Sequence, residues 1–305
     1  MNAVAYVTAD VFTSECFAGN PLAVIPDARG LSDEAMQKIA TEFNYSEVTF
    51  VLPPENPDNT ARVRIFTPTK EIPFAGHPNV GTAFVLGRQT EIFGKTPGDR
   101  LLFEEKAGLV KVQLLRNGNE VSGAKIRAPG ALQVGSAIAG DLVARCVQLD
   151  PASIRHTTHA PTFASVGLLF AFAEVDGLET LGKARPNAAA FAEAAARHED
   201  EKTDFSLFLY TRLAENPQHI RARMFAPLDN VLEDPATGSA SAALGAYLAS
   251  LLPEADTEMQ ITIEQGVEMG RRSLINLGVR KSAGSVTDVF ISGDCVSVMR
   301  GEITF

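Results

Sequence analysis

Residues 233–252 read EDPATGSASAALGAYLASLL: two acids and a proline, then seventeen residues of which none is charged. A helix apolar on every side is a buried helix, and the N–H groups of its first turn then lack water as a partner. Ser, Thr or Asp side chains can fill that gap, and so can the carboxylate of a small ligand drawn to the positive end of the helix dipole. The stretch therefore predicts a core helix whose entrance is polar. A second one exists. PTKEIPFAGHPNVGTAFVLG, residues 68–87, is a loop leading into a charge-free run that predicts a helix from about Pro78 to Leu86.

The two segments are entered alike. RIFTP (64–68) precedes the first and RMFAP (223–227) the second, with Arg, Phe and Pro at equal spacing. Each copy reads as a strand end, followed seven or eight residues on by a Gly-bearing loop, Gly76-His77-Pro78 or Asp234 to Ser239, and then by the apolar helix. Coincidence between two loop–helix junctions is the plain alternative to a duplicated fold.

The rest of the chain fits around these helices. AVAYVTADVF and LAVIP read as strands joined by the turn-rich FAGNP. Ser32 can cap a helix over LSDEAMQKIATEFN, with Asp33 and Glu34 in its first turn. VTFVLP, ARVRIF, LLFEEKAG, LVKVQLL and AKIRAP read as strands, and RAPGAL, 127–132, as a lobe boundary. Beyond it, IAGDLVARCVQL and NAAAFAEAAARHED read as helices. TFASVGLLFAFAEV reads as one buried strand, and DFSLFLYTRL, HIRARMFAP, ITIEQGVEMG, SLINLGVR and CVSVMRGEITF as further strands. Strands and helices do not alternate as in a doubly wound sheet, so the class is α+β.

Composition limits what the protein can be. At 305 residues, 45% hydrophobic and 21% charged with the charges scattered, the chain can bury one large or two medium cores. A net charge of -10 argues against a nucleic-acid surface. Cys16, Cys146 and Cys295 are odd in number and far apart, which fits core thiols in a reducing compartment. The opening MNAVAYVTADVF has no basic leader, and no apolar run approaches the ~20 residues that span a bilayer. A cytoplasmic protein without membrane partners is expected.

Several chemistries fail on spacing. Gly76 and Gly81 stand as the outer glycines of a phosphate loop do, but Thr82 and Ala83 replace its Lys and Ser/Thr, and no G-x-G-x-x-G occurs in this loop. His156 and His159 form H-x-x-H with no carboxylate or thiol close behind, so no metal site is expected. Ser239 lacks the G-x-S-x-G context of a nucleophile. Proton transfer remains, with Glu47 in NYSEVTFV, His77 in AGHP, Asp234 in EDPATGS, and Ser239. Glu47 lies between a helix and an apolar strand, where partial burial lifts a carboxyl from its ordinary ~4.3 toward neutrality and suits it to general base and acid work. A solvated turn glutamate, a loop histidine bonded to backbone and an aspartate that caps the helix are the plain alternatives.

Taken in order, DVFTSECFAGNPLAVIP, NYSEVTFV, RIFTPTKEIPFAGHPNVGTA, RMFAPLDNVLEDPATGSASA and QGVEMGRRS resemble the phenazine-biosynthesis isomerase family, often called PhzF-like, nearly end to end. The resemblance implies the diaminopimelate epimerase-like fold: two pseudo-symmetric lobes, each a curved, mostly antiparallel sheet around a central apolar helix. It places the lobes at about 1–128, rejoined by the end of the chain near 296–305, and 129–295, with the active site between them. It also implies a cofactor-free isomerase. The family's type enzyme acts on trans-2,3-dihydro-3-hydroxyanthranilate, and its proton-moving glutamate matches Glu47. His77 and Asp234 match residues that orient or polarise amine and hydroxyl groups, while Gly76, Gly238 and Ser239 match those that hold the substrate carboxylate. The related proline racemases and diaminopimelate epimerases carry a thiol at each helix entrance, where this chain has Gly76-His77 and Asp234. Gly270-Arg271-Arg272-Ser273 departs from the GRPS common in the family. The expected partner is a small carboxylate, with homodimerisation familiar among relatives. An amino-acid epimerase without catalytic cysteines and a non-catalytic binding protein are the competing readings.

Overall fold

In the computed structural model, which describes residues 3–304, the chain divides into two units, Met1–Pro129 with Ile291–Phe305, and Gly130–Phe290. Among the described residues no helix is long and apolar enough to cross a membrane.

The first unit contains β1 (Ala3–Val11), β2 (Asn20–Ile25), α1 (Asp33–Phe43), β3 (Glu47–Leu52), β4 (Ala61–Phe66), β5 (Glu71–Ile72), α2 (Gly76–Gly87), β6 (Arg100–Glu105), β7 (Gly108–Asn117) and β8 (Glu120–Arg127). α1 starts as its sequence predicts, with Ser32 Oγ accepting the Ala35 N–H at 3.2 Å. It ends at Asn44, which takes the left-handed conformation at φ 52°. Met36, Ile39 and Ala40 pack from α1 onto Ala23, Val48, Phe50 and Phe66. Every residue of α2 from Gly76 to Leu86 is buried, as a charge-free helix requires. Gly81 permits the tight fit: a Cβ there would lie 2.6 Å from Leu22 Cδ2 and 2.7 Å from Val11 Cγ2.

The second unit contains β9 (Gln133–Ala137), α3 (Gly140–Cys146), β10 (Ile154–Arg155), β11 (Thr162–Ser165), β12 (Leu169–Val175), α4 (Leu178–Lys183), α5 (Ala188–Arg197), β13 (Leu207–Leu213), β14 (Asn216–Ala226), β15 (Val231–Asp234), α6 (Gly238–Ser250), β16 (Thr257–Gln265) and β17 (Ser273–Ser282). The last strand, β18 (Ser285–Thr304), begins in this unit and ends in the first. There it pairs with β1 and β8 and closes the ring β1-β2-β3-β4-β6-β7-β8-β18 around α2. A closed sheet leaves no edge to be capped. In the second unit β9-β11-β12-β13-β14-β16-β17 runs as one sheet against α6.

The likeness between the two units extends to single pairings. β2 runs parallel to β3 across α1, and β12 runs parallel to β13 across α4 and α5. β4 then turns back on β3 as β14 does on β13, and pairs in parallel with β6 as β14 does with β16. The shared R-x-F-x-P has a shared geometry. Arg64 grips Glu71 with two bonds of 2.8 and 2.7 Å and lies over the Phe66 ring. Arg223 grips Glu233 with bonds of 2.7 and 2.8 Å and lies over the Phe225 ring. Such a two-pronged contact fixes both position and angle. In each unit it ties the R-x-F strand to the short strand, β5 or β15, that leads to the apolar helix.

Several expectations are corrected. The segment 162–175 is a hairpin, because Gly167 adopts φ 149° and Ser165 Oγ takes its N–H at 2.9 Å. β18 runs twenty residues where the sequence predicts a strand only from Cys295; its backbone at Gly293 and Asp294 lies so close to Gly123 of β8 that a Cβ at Gly123 would collide with it. α2 begins two residues earlier than its apolar run predicts. Cys16 is exposed, so only Cys146 and Cys295 are core thiols.

Candidate active site

Glu47 is the first residue of β3, whose next four residues are buried. Its side chain is only 17% exposed, and Oε2 is buried with no hydrogen-bond partner. Burial pushes the carboxyl up to about 7, with the Ser46 side chain pulling it partway back. His77, the second residue of α2, brings Nδ1 to 3.4 Å from Glu47 Oε2, with 5% of its side chain exposed. A carboxyl balanced between its two protonation states thus stands beside an imidazole, and neither is in open solvent. α2 itself starts without a side-chain cap, since Ala75 occupies the N-cap position. The Asn79 amide folds back instead and donates from Nδ2 to the Ala75 carbonyl at 3.0 Å.

In the second unit Asp234 closes β15 and is 7% exposed. Its Oδ2 accepts the Thr237 hydroxyl at 2.5 Å, and Thr237 is the N-cap of α6. Gln265, at the end of β16, braces the loop from the other side. Its Oε1 accepts the Thr237 N–H at 3.0 Å, and its Nε2 donates to the Asp234 carbonyl at 2.7 Å and to Thr237 Oγ1 at 3.0 Å. Gly238 is buried and Ser239 half-buried in the first turn that follows. The Thr237 hydroxyl is committed to Asp234, so α6, like α2, opens without a side-chain cap.

The sequence reading missed three of these supports. Gln265 begins the QGVEMG stretch and carries no charge that would mark it. Gly266 holds φ 76°, and a Cβ there would run into the carbonyl oxygens of Pro235 and Arg271, both immovable backbone. Gly266→Ala is expected to cost about 2–4 kcal/mol, left-handed strain and overpacking together, read as a lower denaturation midpoint. Asn79 follows the Gly-His-Pro it stabilises and reads from sequence as helix filler.

His156 is exposed and His159 buried. His159 Nδ1 lies 2.7 Å from the Ala160 carbonyl, which can only accept, so Nδ1 carries the proton and Nε2 accepts the Tyr210 hydroxyl at 2.7 Å. Burial lowers the His159 pKa, in keeping with this neutral form. Cys146 is likewise inert, its thiol pushed up to about 12 by burial.

A sheet wrapped round a buried helix, repeated in one chain, with a titratable acid at a helix entrance, defines an α+β protein of the epimerase-like class. The same fold occurs in a hydroxyproline epimerase of Agrobacterium vitis, with a TM-score of 0.64, 12% identity and coverage of 99% of this chain and 91% of that one. The sequence profile of the phenazine biosynthesis-like proteins matches residues 9–301, and the chain belongs to that family. A trans-2,3-dihydro-3-hydroxyanthranilate isomerase of Pseudomonas aeruginosa is 35% identical over 299 residues, 97% of this chain and 98% of that protein. The crystal structure of a PhzF-family phenazine biosynthesis protein of Bacillus anthracis superimposes with a TM-score of 0.87 at 27% identity, covering all of both chains. The protein is an isomerase of this family.

Proposed function

We propose that the enzyme moves a proton between carbons of a small carboxylated amine or hydroxy compound, close in kind to trans-2,3-dihydro-3-hydroxyanthranilate, without a cofactor and with Glu47 as the acid/base. The observation that carries this reading is the Glu47 carboxyl, buried, unpartnered at Oε2 and raised to about 7, beside His77. A base near neutrality is present in useful amount at working pH, and its conjugate acid is strong enough to return the proton.

The carboxylate removes a proton from a substrate carbon, and the electron pair of the broken C–H bond enters the neighbouring π system. As the double bond shifts, a new C–H bond forms at another carbon with the proton Glu47 now carries. The substrate's formula is unchanged, so the step needs no oxidant or reductant. His77 and Asp234 orient the amine and hydroxyl groups. The first-turn amides at Gly76, Gly238 and Ser239 suit a substrate carboxylate, because both helices open without a side-chain cap. Glu47 serves as both acceptor and donor of the proton.

Incubation with trans-2,3-dihydro-3-hydroxyanthranilate in D₂O tests the reading. Proton NMR should show the double bond shifted at a rate far above buffer, with deuterium at one ring carbon of the product to the extent that the Glu47 proton exchanges with solvent before its return. A shifted melting curve with no isomerised product would mean a binding protein instead.

A further inference from the structure

The hydrogen bonds at the entrance of α6 fix where each proton lies. Gln265 is fully buried at the end of β16, and Asp234 and Thr237 are buried with it. Its Oε1 faces the Thr237 N–H at 3.0 Å, which can only donate, so the other end of the amide is Nε2. Nε2 carries two protons. One goes to the Asp234 carbonyl at 2.7 Å, which can only accept, and the other to Thr237 Oγ1 at 3.0 Å. Having accepted there, the Thr237 hydroxyl gives its own proton to Asp234 Oδ2 at 2.5 Å. Gln265 is itself pinned on both sides: Glu264 accepts from Arg272 Nε, and Gly266 is wedged at φ 76° against the Pro235 and Arg271 carbonyls.

The fold by itself does not call for an amide at this place. Gln265 pairs with Ala222, the residue before Arg223, in the parallel ladder of β14 and β16. In the first unit the residue before Arg64 is Val63, and one step beyond the pairing of Arg62 with Glu104 stands Glu105. A carboxyl has at most one proton and cannot donate twice. The double donor is thus present in the unit that carries Asp234 and absent from the one that carries Glu47. We propose that Gln265 is a positioning residue for the reaction: by donating to Thr237 Oγ1 it directs the hydroxyl proton onto Asp234 and holds that carboxylate as an acceptor for an amine or hydroxyl group of the substrate. This role rests on the reading of Asp234 as a substrate-orienting group. A donor aimed at the ionised oxygen favours the ionised form. A glutamate in place of Gln265 would accept where the amide donates, and the Thr237 proton would turn away from Asp234.

Two measurements test this, and only the second depends on the isomerase reading. In the free enzyme the carbon-13 NMR signal of the Asp234 carboxyl, assigned by its absence in Asp234→Asn, should move in Gln265→Glu, which draws the Thr237 proton away, and in Thr237→Val, which removes it. Combining the two should move it no further. Gln265→Met, which brings no buried charge and so spares the fold, should move the signal in the same direction. With trans-2,3-dihydro-3-hydroxyanthranilate as substrate, Gln265→Glu and Thr237→Val should each lower kcat about tenfold to a hundredfold, as a misplaced catalytic group does, with KM within about threefold. The double variant should be no slower than the slower single one, and Thr237→Ser, which keeps the hydroxyl, should stay within about threefold of the native rate. An Asp234 signal that neither Gln265→Glu nor Gln265→Met moves, or losses of kcat that multiply in the double variant, would overturn the proposal.

Discussion

Glu47→Gln should cut turnover by about 10²–10⁴-fold, the usual contribution of a positioned acid/base, and should leave KM nearly unchanged. Glutamine has the shape of glutamate and keeps its hydrogen-bonding oxygen, but it cannot take up and return a proton. The same replacement should make the protein more stable at neutral and alkaline pH. Glu47 titrates near 7 in the folded chain and near 4.5 when unfolded, so the folded state holds the proton more tightly. Its stabilising effect is complete below pH 4.5, declines as pH rises toward 7, and is absent above. By pH 8 the native enzyme keeps a charge in a site that disfavours it, at a cost of roughly 3 kcal/mol that glutamine avoids. A variant that loses activity and gains melting temperature at pH 8, the gain shrinking as pH falls below 7 and vanishing below 4.5, would mark Glu47 as a strained functional group. A loss of both would mark it as structural.

The largest loss of stability is expected at Arg223. Its side chain is 4% exposed, and besides Glu233 it donates to the carbonyls of Leu181 at 3.0 Å and Ala184 at 2.9 Å. Arg223→Met fills much of the same volume but leaves Glu233 a buried charge without its partner and two carbonyls without their donor. A cost of about 3–5 kcal/mol follows from breaking such a pair on one side, measured as a lower denaturation midpoint. Removing both partners, as Arg223→Met with Glu233→Met, should recover part of it, because the unpaired charge is then gone. Arg64, at 14% side-chain exposure and with a second acidic partner in Asp33, holds the equivalent place in the first unit. Its loss should cost less, because Lys106 still pairs with Glu71 and water reaches Asp33.

Both α2 and α6 were legible because a helix buried all round must be uncharged all round, and few other structures leave that mark. The repeat was legible in R-x-F-x-P because the arginine must lie over the phenylalanine and reach a glutamate on the next short strand. Glu47, His77 and Asp234 could be named from their motifs, although position alone did not distinguish Glu47 from an exposed turn residue. What separates the two is the Oε2 environment, made by β3 and α2 from residues thirty apart in sequence. Gln265 was hidden because its partners, Asp234 and Thr237, lie some thirty residues earlier. The closure of the first sheet by β8 and β18 joins strands far apart along the chain, and such pairings leave no local signal.

The central claim is that the fold holds Glu47 half-protonated near neutral pH so that one carboxyl can both take and return a proton. Carbon-13 NMR titration of glutamate side-chain carboxyls, with the Glu47 signal assigned by its absence in Glu47→Gln, measures this directly. A midpoint near 7 is predicted. A midpoint in the ordinary range of 4 to 5 would contradict the account.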